Sequence, residues 1–166
     1  MTEFFEFLQL PKQELKETKE LKELIPKRAN SMVKRIAHIA IVVEDIEGAL
    51  GFWRDALGLP LEHVEDVPEQ QATVAFLPTS ESEVELVKPS TNDSGVARFL
   101  AGRGPGIHHI CFDVDDIAAT LTALKARGVR LIDEIPRMGA GGKKVAFIHP
   151  ESTGGVLVEL TEAPPS

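Results

Sequence analysis

The sequence predicts an α+β fold in which two βαβββ modules stand in tandem and share one curved mixed sheet shaped as a cup. Two observations lead to that class: a stretch of the chain recurs at a fixed offset, and within each copy the hydrophobic period passes from strand to helix and then to three strands. His38-Ile39-Ala40-Ile41-Val42-Val43-Glu44-Asp45-Ile46 returns as His109-Ile110-Cys111-Phe112-Asp113-Val114-Asp115-Asp116-Ile117, 71 residues further on. Leu50 and Leu121 keep the offset, as do Val74-Ala75-Phe76 and Val145-Ala146-Phe147. Val84-Glu85-Leu86 returns as Val158-Glu159-Leu160 after a three-residue insertion.

Each copy opens on an alternating, β-branched run, from His38 or His109, and continues into an acidic pair suited to capping a helix. Helices are expected over 45–57, with a stripe of Ile46, Ala49, Leu50, Trp53 and Leu57, and over 116–127, with Ile117, Leu121 and Leu124. Gly58 and Gly128 suit their C-terminal stops. Strands should follow at 61–66, 72–78 and 83–88, and again at 129–133, 144–149 and 156–161. This gives modules 34–89 and 106–162 within a domain 32–166, joined by a linker (90–105) whose helix spans Asn92 to Arg103. Residues 1–31 differ in character: an apolar start, then a charged stretch with Leu15, Leu21, Leu24 and Ile25 at helical spacing, ended by Pro26. They read as a helical N-terminal extension, an accessory segment rather than a partner contact.

The chain has 166 residues, 43% hydrophobic and 27% charged, enough for one substantial core. Its net charge of −8 argues against a nucleic-acid surface, which needs clustered Lys and Arg. No apolar run approaches the roughly 20 residues of a membrane span, and the start lacks a secretory pattern, so a cytoplasmic protein is expected. Cys111 is the single cysteine, excluding an intrachain disulfide, and is expected in the core with Trp53.

The chemistry-bearing residues are those the repeat duplicates. Each copy carries a histidine on its first strand and a glutamate between apolar neighbours on its last: His38 with Glu85, and His109 with Glu159. A carboxylate within an apolar strand is costly to bury unless paired or ligated. Two imidazoles and two carboxylates suit a divalent ion: cobalt, manganese, nickel, zinc or iron(II). Strand alternation puts His108 on the face opposite His109. His63 and His149 lack a duplicated carboxylate and read as structural or exposed. Glu69 reads as a solvated loop acid.

Three stretches carry a family likeness: Gly106-Ile107-His108-His109-Ile110, Ser82-Glu83-Val84-Glu85-Leu86, and Gly141-Gly142-Lys143-Lys144-Val145-Ala146-Phe147-Ile148-His149-Pro150 running on to Gly154-Gly155-Val156-Leu157-Val158-Glu159-Leu160. Over about residues 34–162 the chain resembles the methylmalonyl-CoA epimerases of the vicinal oxygen chelate superfamily, which also holds glyoxalase I, extradiol dioxygenases and fosfomycin-resistance proteins. The resemblance implies the glyoxalase-like fold, a divalent metal with cobalt foremost, an acyl-CoA substrate, a homodimer, and interconversion of (R)- and (S)-methylmalonyl-CoA. It implies His38, His109 and Glu159 as metal ligands, Glu85 as a fourth where some members have Gln, and Glu159 also as a catalytic base. The family's second base falls on Val74, which cannot transfer a proton, so that role stays unassigned. Lys143, Lys144 and Arg98 are candidates for CoA phosphates, with ordinary surface charge the plainer reading. The rival functions are a glyoxalase I-type lactoylglutathione lyase and a metal-free small-molecule-binding protein of the same fold.

Overall fold

The computed structural model describes residues 31–139 and 142–163. The expected helical extension at 1–31 lies outside the described residues, Ser31 apart. The elements are β1 (Val33–Val42), α1 (Ile46–Leu50) running into a π-helical stretch (Gly51–Ala56), β2 (His63–Val67), β3 (Ala72–Pro78), β4 (Glu83–Pro89), α2 (Gly95–Arg103), β5 (Gly106–Val114), α3 (Ile117–Ala126), β6 (Arg137–Met138), β7 (Lys144–Ile148) and β8 (Leu157–Glu162). The eight strands form one curled mixed sheet in the order β2-β3-β4-β1-β5-β8-β7-β6.

That order carries the repeat into space. β1 and β5 lie antiparallel at the centre, with Ile39 opposite Ile110, His38 opposite Cys111 and Ala40 opposite His109. β1 pairs in parallel with β4 and β5 with β8, so Ala40 faces Glu85 and Cys111 faces Glu159. Equivalent residues therefore stand at equivalent places on either side of a local twofold axis through the Ile39–Ile110 pair.

Both helix starts are capped as the acidic pairs suggest: the Asp45 side chain accepts from the Gly48 N–H and Asp116 from Ala119. Gly58 and Gly128 follow the two helices at φ of 82° and 77°, the left-handed conformation that lets a helix end without Cβ strain. One face of the sheet packs against α1 through Leu50, Ala75, Leu77 and Leu86, and against α3 through Val114, Ile117, Leu121, Ala146 and Leu160. The other face holds His38, Ala40 and Val42; α2 leans on its rim through Val96, Phe99 and Leu100. α1 and α3 cover one face and α2 only the rim of the other, so the centre of the concave face is left for a site.

Three expectations need correction. The first helix is α-helical only to Leu50; a π turn with Leu57 N–H donating to Phe52 C=O packs Trp53 against the core but leaves Phe52 57% and Leu57 54% exposed, so Leu57 is not in the stripe. Trp53 packs against the core, as expected, but keeps part of its surface exposed. The strand expected at 129–133 is reduced to one bridge, Leu131 with Ile148, because the Asp133 carboxylate takes the Phe147 N–H and Pro136 has none to offer. Pairing resumes only at β6. The third concerns His108.

A candidate metal centre between two cavities

The β1–β5 ladder has three register shifts, and two of them are bulges related by the local twofold. Across Ile36 to His38, β1 advances two residues while β5 advances one, leaving Ala37 extra; across Ala40 to Ile41, β5 spends His109 to Ile107 and leaves His108 extra. A bulge breaks strict alternation, so His108 does not turn to the face opposite His109: its Nδ1 lies 2.9 Å from His109 Nδ1, and the ring sits edge-on to Phe99. Burial, then the neighbouring His109, pull the His108 imidazole down to about 4, so it is neutral at physiological pH.

On the concave face His38 Nε2, His109 Nε2 and Glu159 Oε2 form a triangle with sides of 3.0, 3.1 and 2.8 Å. Glu85 Oε1 lies 3.2 Å from the other ring nitrogen of His38, Nδ1. All four sequence candidates thus meet, three at one point and Glu85 through the His38 ring. Glu159 is 2% exposed and Glu85 9%.

The two carboxyls are perturbed in opposite directions. Burial would raise Glu159, but hydrogen bonds from His109 and His38 overcome it and hold the carboxyl far below the usual range. For Glu85, burial dominates and its carboxyl is raised, the attraction of His38 notwithstanding. Burial lowers His38, yet the hydrogen bond to Glu159 and the charges of Glu85 and Glu159 leave it raised overall. His38 is thereby tuned by a carboxylate from each module.

The donor set fits a divalent ion. Acting as ligands, two carboxylates and two imidazoles would bring a charge of −2 to a buried place, which a dication neutralises. The sides of the donor triangle match the roughly 3.0 Å between neighbouring donors of an octahedral ion bound at about 2.1 Å. Cys111, expected in the core and fully buried, also reaches this cluster: its thiol, His38 and Glu159 lie within 4.8 Å of one another. Burial, then the charges of Glu159 and Glu85, push the thiol far up, so it stays protonated and is a poor ligand without ion-driven deprotonation. His109 offers an imidazole nitrogen at the same point without that requirement.

Two cavities flank the cluster. The smaller, of about 220 Å³, is lined by His38, Glu85 and Glu159 together with Glu65, Val74 and Lys143. In its wall the Thr161 hydroxyl, which sequence reading passed over, is buried without a hydrogen-bond partner among the described residues and so asks for a ligand. The larger, of about 530 Å³, is bordered by His109, His108, Phe99 and Phe147, with Arg98 and Arg137. Arg137, another residue the sequence did not single out, lies over the Phe147 ring, 5.3 Å from its centroid. Of the earlier candidates, Lys144 is engaged elsewhere, in an ion pair with Glu162 at 2.8 Å. Glu69 borders the larger cavity, and His63 lines the smaller one about half exposed; His149 caps a short 3₁₀ turn away from both.

Comparison with known proteins gives this geometry a context. Residues 37–147 match the Glyoxalase/Bleomycin resistance protein/Dioxygenase superfamily. The chain is 46% identical over 130 residues to the uncharacterized protein YqjC of Bacillus subtilis, covering 78% of this chain and 93% of that one. It is 40% identical to the mitochondrial methylmalonyl-CoA epimerase of Homo sapiens, covering 78% of this chain and 74% of that one. The crystal structure of methylmalonyl-CoA epimerase from Mycobacterium tuberculosis superposes with a TM-score of 0.77 at 37% identity, covering 84% and 95% of the two chains. A lactoylglutathione lyase of Haemophilus influenzae stands further off, at 31% identity over 77% of this chain and 92% of that one.

Proposed function

The chain belongs to the glyoxalase/bleomycin resistance protein/dioxygenase superfamily and, within it, to the methylmalonyl-CoA epimerase family; on that footing we propose that it interconverts (R)- and (S)-methylmalonyl-CoA by removing and returning the α-proton. The observation that carries the proposal is the convergence of two histidines and two buried glutamates, one pair from each module, beside a cavity the size of a small acyl group.

In this reading His38, His109, Glu159 and Glu85 hold one divalent ion, cobalt foremost by family likeness, since imidazole and carboxylate donors do not by themselves choose among cobalt, manganese, nickel, zinc and iron(II). When bound, the ion would supply Lewis acidity, drawing negative charge from the thioester oxygen as the α-proton leaves. The protein's own groups do the rest. Glu159, its carboxyl held below the usual range, takes the proton; its depressed basicity is tolerable because the carbon acid is itself acidified. Thr161 offers its unpaired hydroxyl to the malonyl carboxylate. His108 accepts the Nδ1–H of His109, so that His109 turns an unprotonated Nε2 toward the donor triangle. The larger cavity suits the pantetheine arm, with Arg98 and Arg137 available to the CoA phosphates.

We further propose a homodimer working in the cytoplasm. Among the described residues no helix is long and apolar enough to cross a membrane, and the one cysteine is free and buried, as suits a reducing compartment.

The test is turnover. Chelated and metal-restored protein are offered (S)-methylmalonyl-CoA and, separately, the glutathione hemithioacetal of methylglyoxal. Metal-dependent formation of the (R) epimer without lactoylglutathione supports the proposal; the reverse pattern sinks it.

A further inference from the structure

To invert a carbon centre, a proton must leave one face and arrive on the other, so a rigidly held substrate needs an acid–base group on each side. Glu159 supplies one wall of the smaller cavity from β8. The wall across from it is built by β2 and β3, on the far side of the sheet order. There the deeper residues, Val74 and Phe76, cannot carry a proton. Cross-strand pairing sets Glu65 beside Val74 and His63 beside Phe76, so both polar side chains rise from the same face, one strand further out.

These two are arranged as a unit. The His63 ring is stacked on Phe76 at 4.4 Å and 12°, with Nδ1 3.5 Å from Glu62 and Nε2 3.6 Å from Glu65. A stacked ring flanked by carboxylates is held in orientation, and it links Glu65 to solvent, since both side chains are about half exposed. We infer that Glu65 is the second proton carrier of the epimerisation, acting on the face of the α-carbon opposite Glu159, with His63 as its positioning residue. The inference rests on the epimerase reading above.

The steps balance without a further reactant. The Glu159 carboxylate takes the α-proton, and the C–H electron pair passes into the enolate. Protonated Glu65 gives its proton to the other face, its O–H bond breaking as the new C–H bond forms. Both carboxyls then re-equilibrate with water, Glu65 by way of His63. For the opposite epimer the roles exchange.

The experiment incubates each epimer separately with metal-loaded enzyme in deuterium oxide, reading α-deuterium by mass spectrometry and inversion by chiral chromatography of the hydrolysed acid. Wild type should exchange and invert both epimers. Glu65→Gln should invert about 10²–10³-fold more slowly while still exchanging the epimer whose α-proton faces Glu159; Glu65→Asp should recover part of the inversion. His63→Phe, which keeps the stack, should lower kcat and alter its pH profile with KM unchanged. Wild-type inversion by Glu65→Gln overturns the inference, as does loss of exchange from both epimers in that variant. If wild type exchanges neither epimer, the epimerase reading itself has failed.

Discussion

The two modules put the same residue types on the same strands and surround them differently. In the second module Glu159 Oε2 lies 2.8 Å from its own histidine, His109, and 3.1 Å from His38 of the first; in the first module Glu85 pairs with His38, at 3.2 Å. Both carboxyls are buried, and burial raises both, so it cannot explain why one ends low and the other high. The imidazole partners explain it. Duplication supplied a symmetric set of positions whose neighbours differ; in the proposed reading both carboxylates hold the ion and Glu159 alone takes the proton. The flanks differ in the same sense: at the matched bulges the first module has Ala37 and the second His108, and at the next site-facing position the first has Ala40 and the second Cys111.

Substitutions can sharpen or break this contrast. The largest effect is expected from Glu159→Gln, which should lower kcat/KM for epimerisation by about 10³, against about tenfold for Glu85→Gln; equal losses would erase the division of labour. Next, His108→Phe should weaken cobalt binding about tenfold by calorimetry through the loss of the His109 Nδ1 contact. Ala37→Ser, at the matched bulge, should leave the affinity within twofold or so.

Stability of the metal-free protein should differ in sign between the two carboxyls. Glu85 is raised when folded, so its contribution is fully present below its ordinary value of 4.5 and lost as pH rises through the folded value. Glu85→Gln should therefore melt about 2–4 °C higher than wild type at pH 8 and converge with it in acid. Glu159 is lowered, so its contribution is present above 4.5 and lost as pH falls through the folded value; Glu159→Gln should melt lower at pH 8. Thermal melts by circular dichroism of chelated protein would check both signs. The smallest change should come from Cys111→Ala, which converts that position to its first-module counterpart. Turnover and cobalt affinity within about threefold of wild type are expected for a buried methyl-sized loss outside the donor set; loss of metal would instead make the thiol a ligand in place of His109.

The repeat made most of this readable before any coordinates. A constant offset from His38 to Leu50 and again from Val74 to Phe76 is long-range information, since it says that two distant stretches occupy equivalent places, and the paired His and Glu followed from it. What escaped was whatever broke the repeat or depended on register. His108 was misjudged because a bulge is a property of two strands pairing, invisible in one strand's alternation. Leu131 failed to start a full strand because Asp133 and Pro136 divert its ladder, and the π turn after Leu50 left a helical pattern in place while turning Leu57 outward. Thr161 and Glu65 carry no motif; only the curl of the sheet brings β2 and β8 to one cavity.

The central claim, that a metal held jointly by the two modules activates an α-proton, is most directly tested by deuterium wash-in at the α-carbon of methylmalonyl-CoA, with metal-free protein, cobalt-restored protein and cobalt-treated His109→Ala. Exchange confined to the restored wild type is the expected result. Exchange that is indifferent to metal, or that persists in His109→Ala, would contradict it.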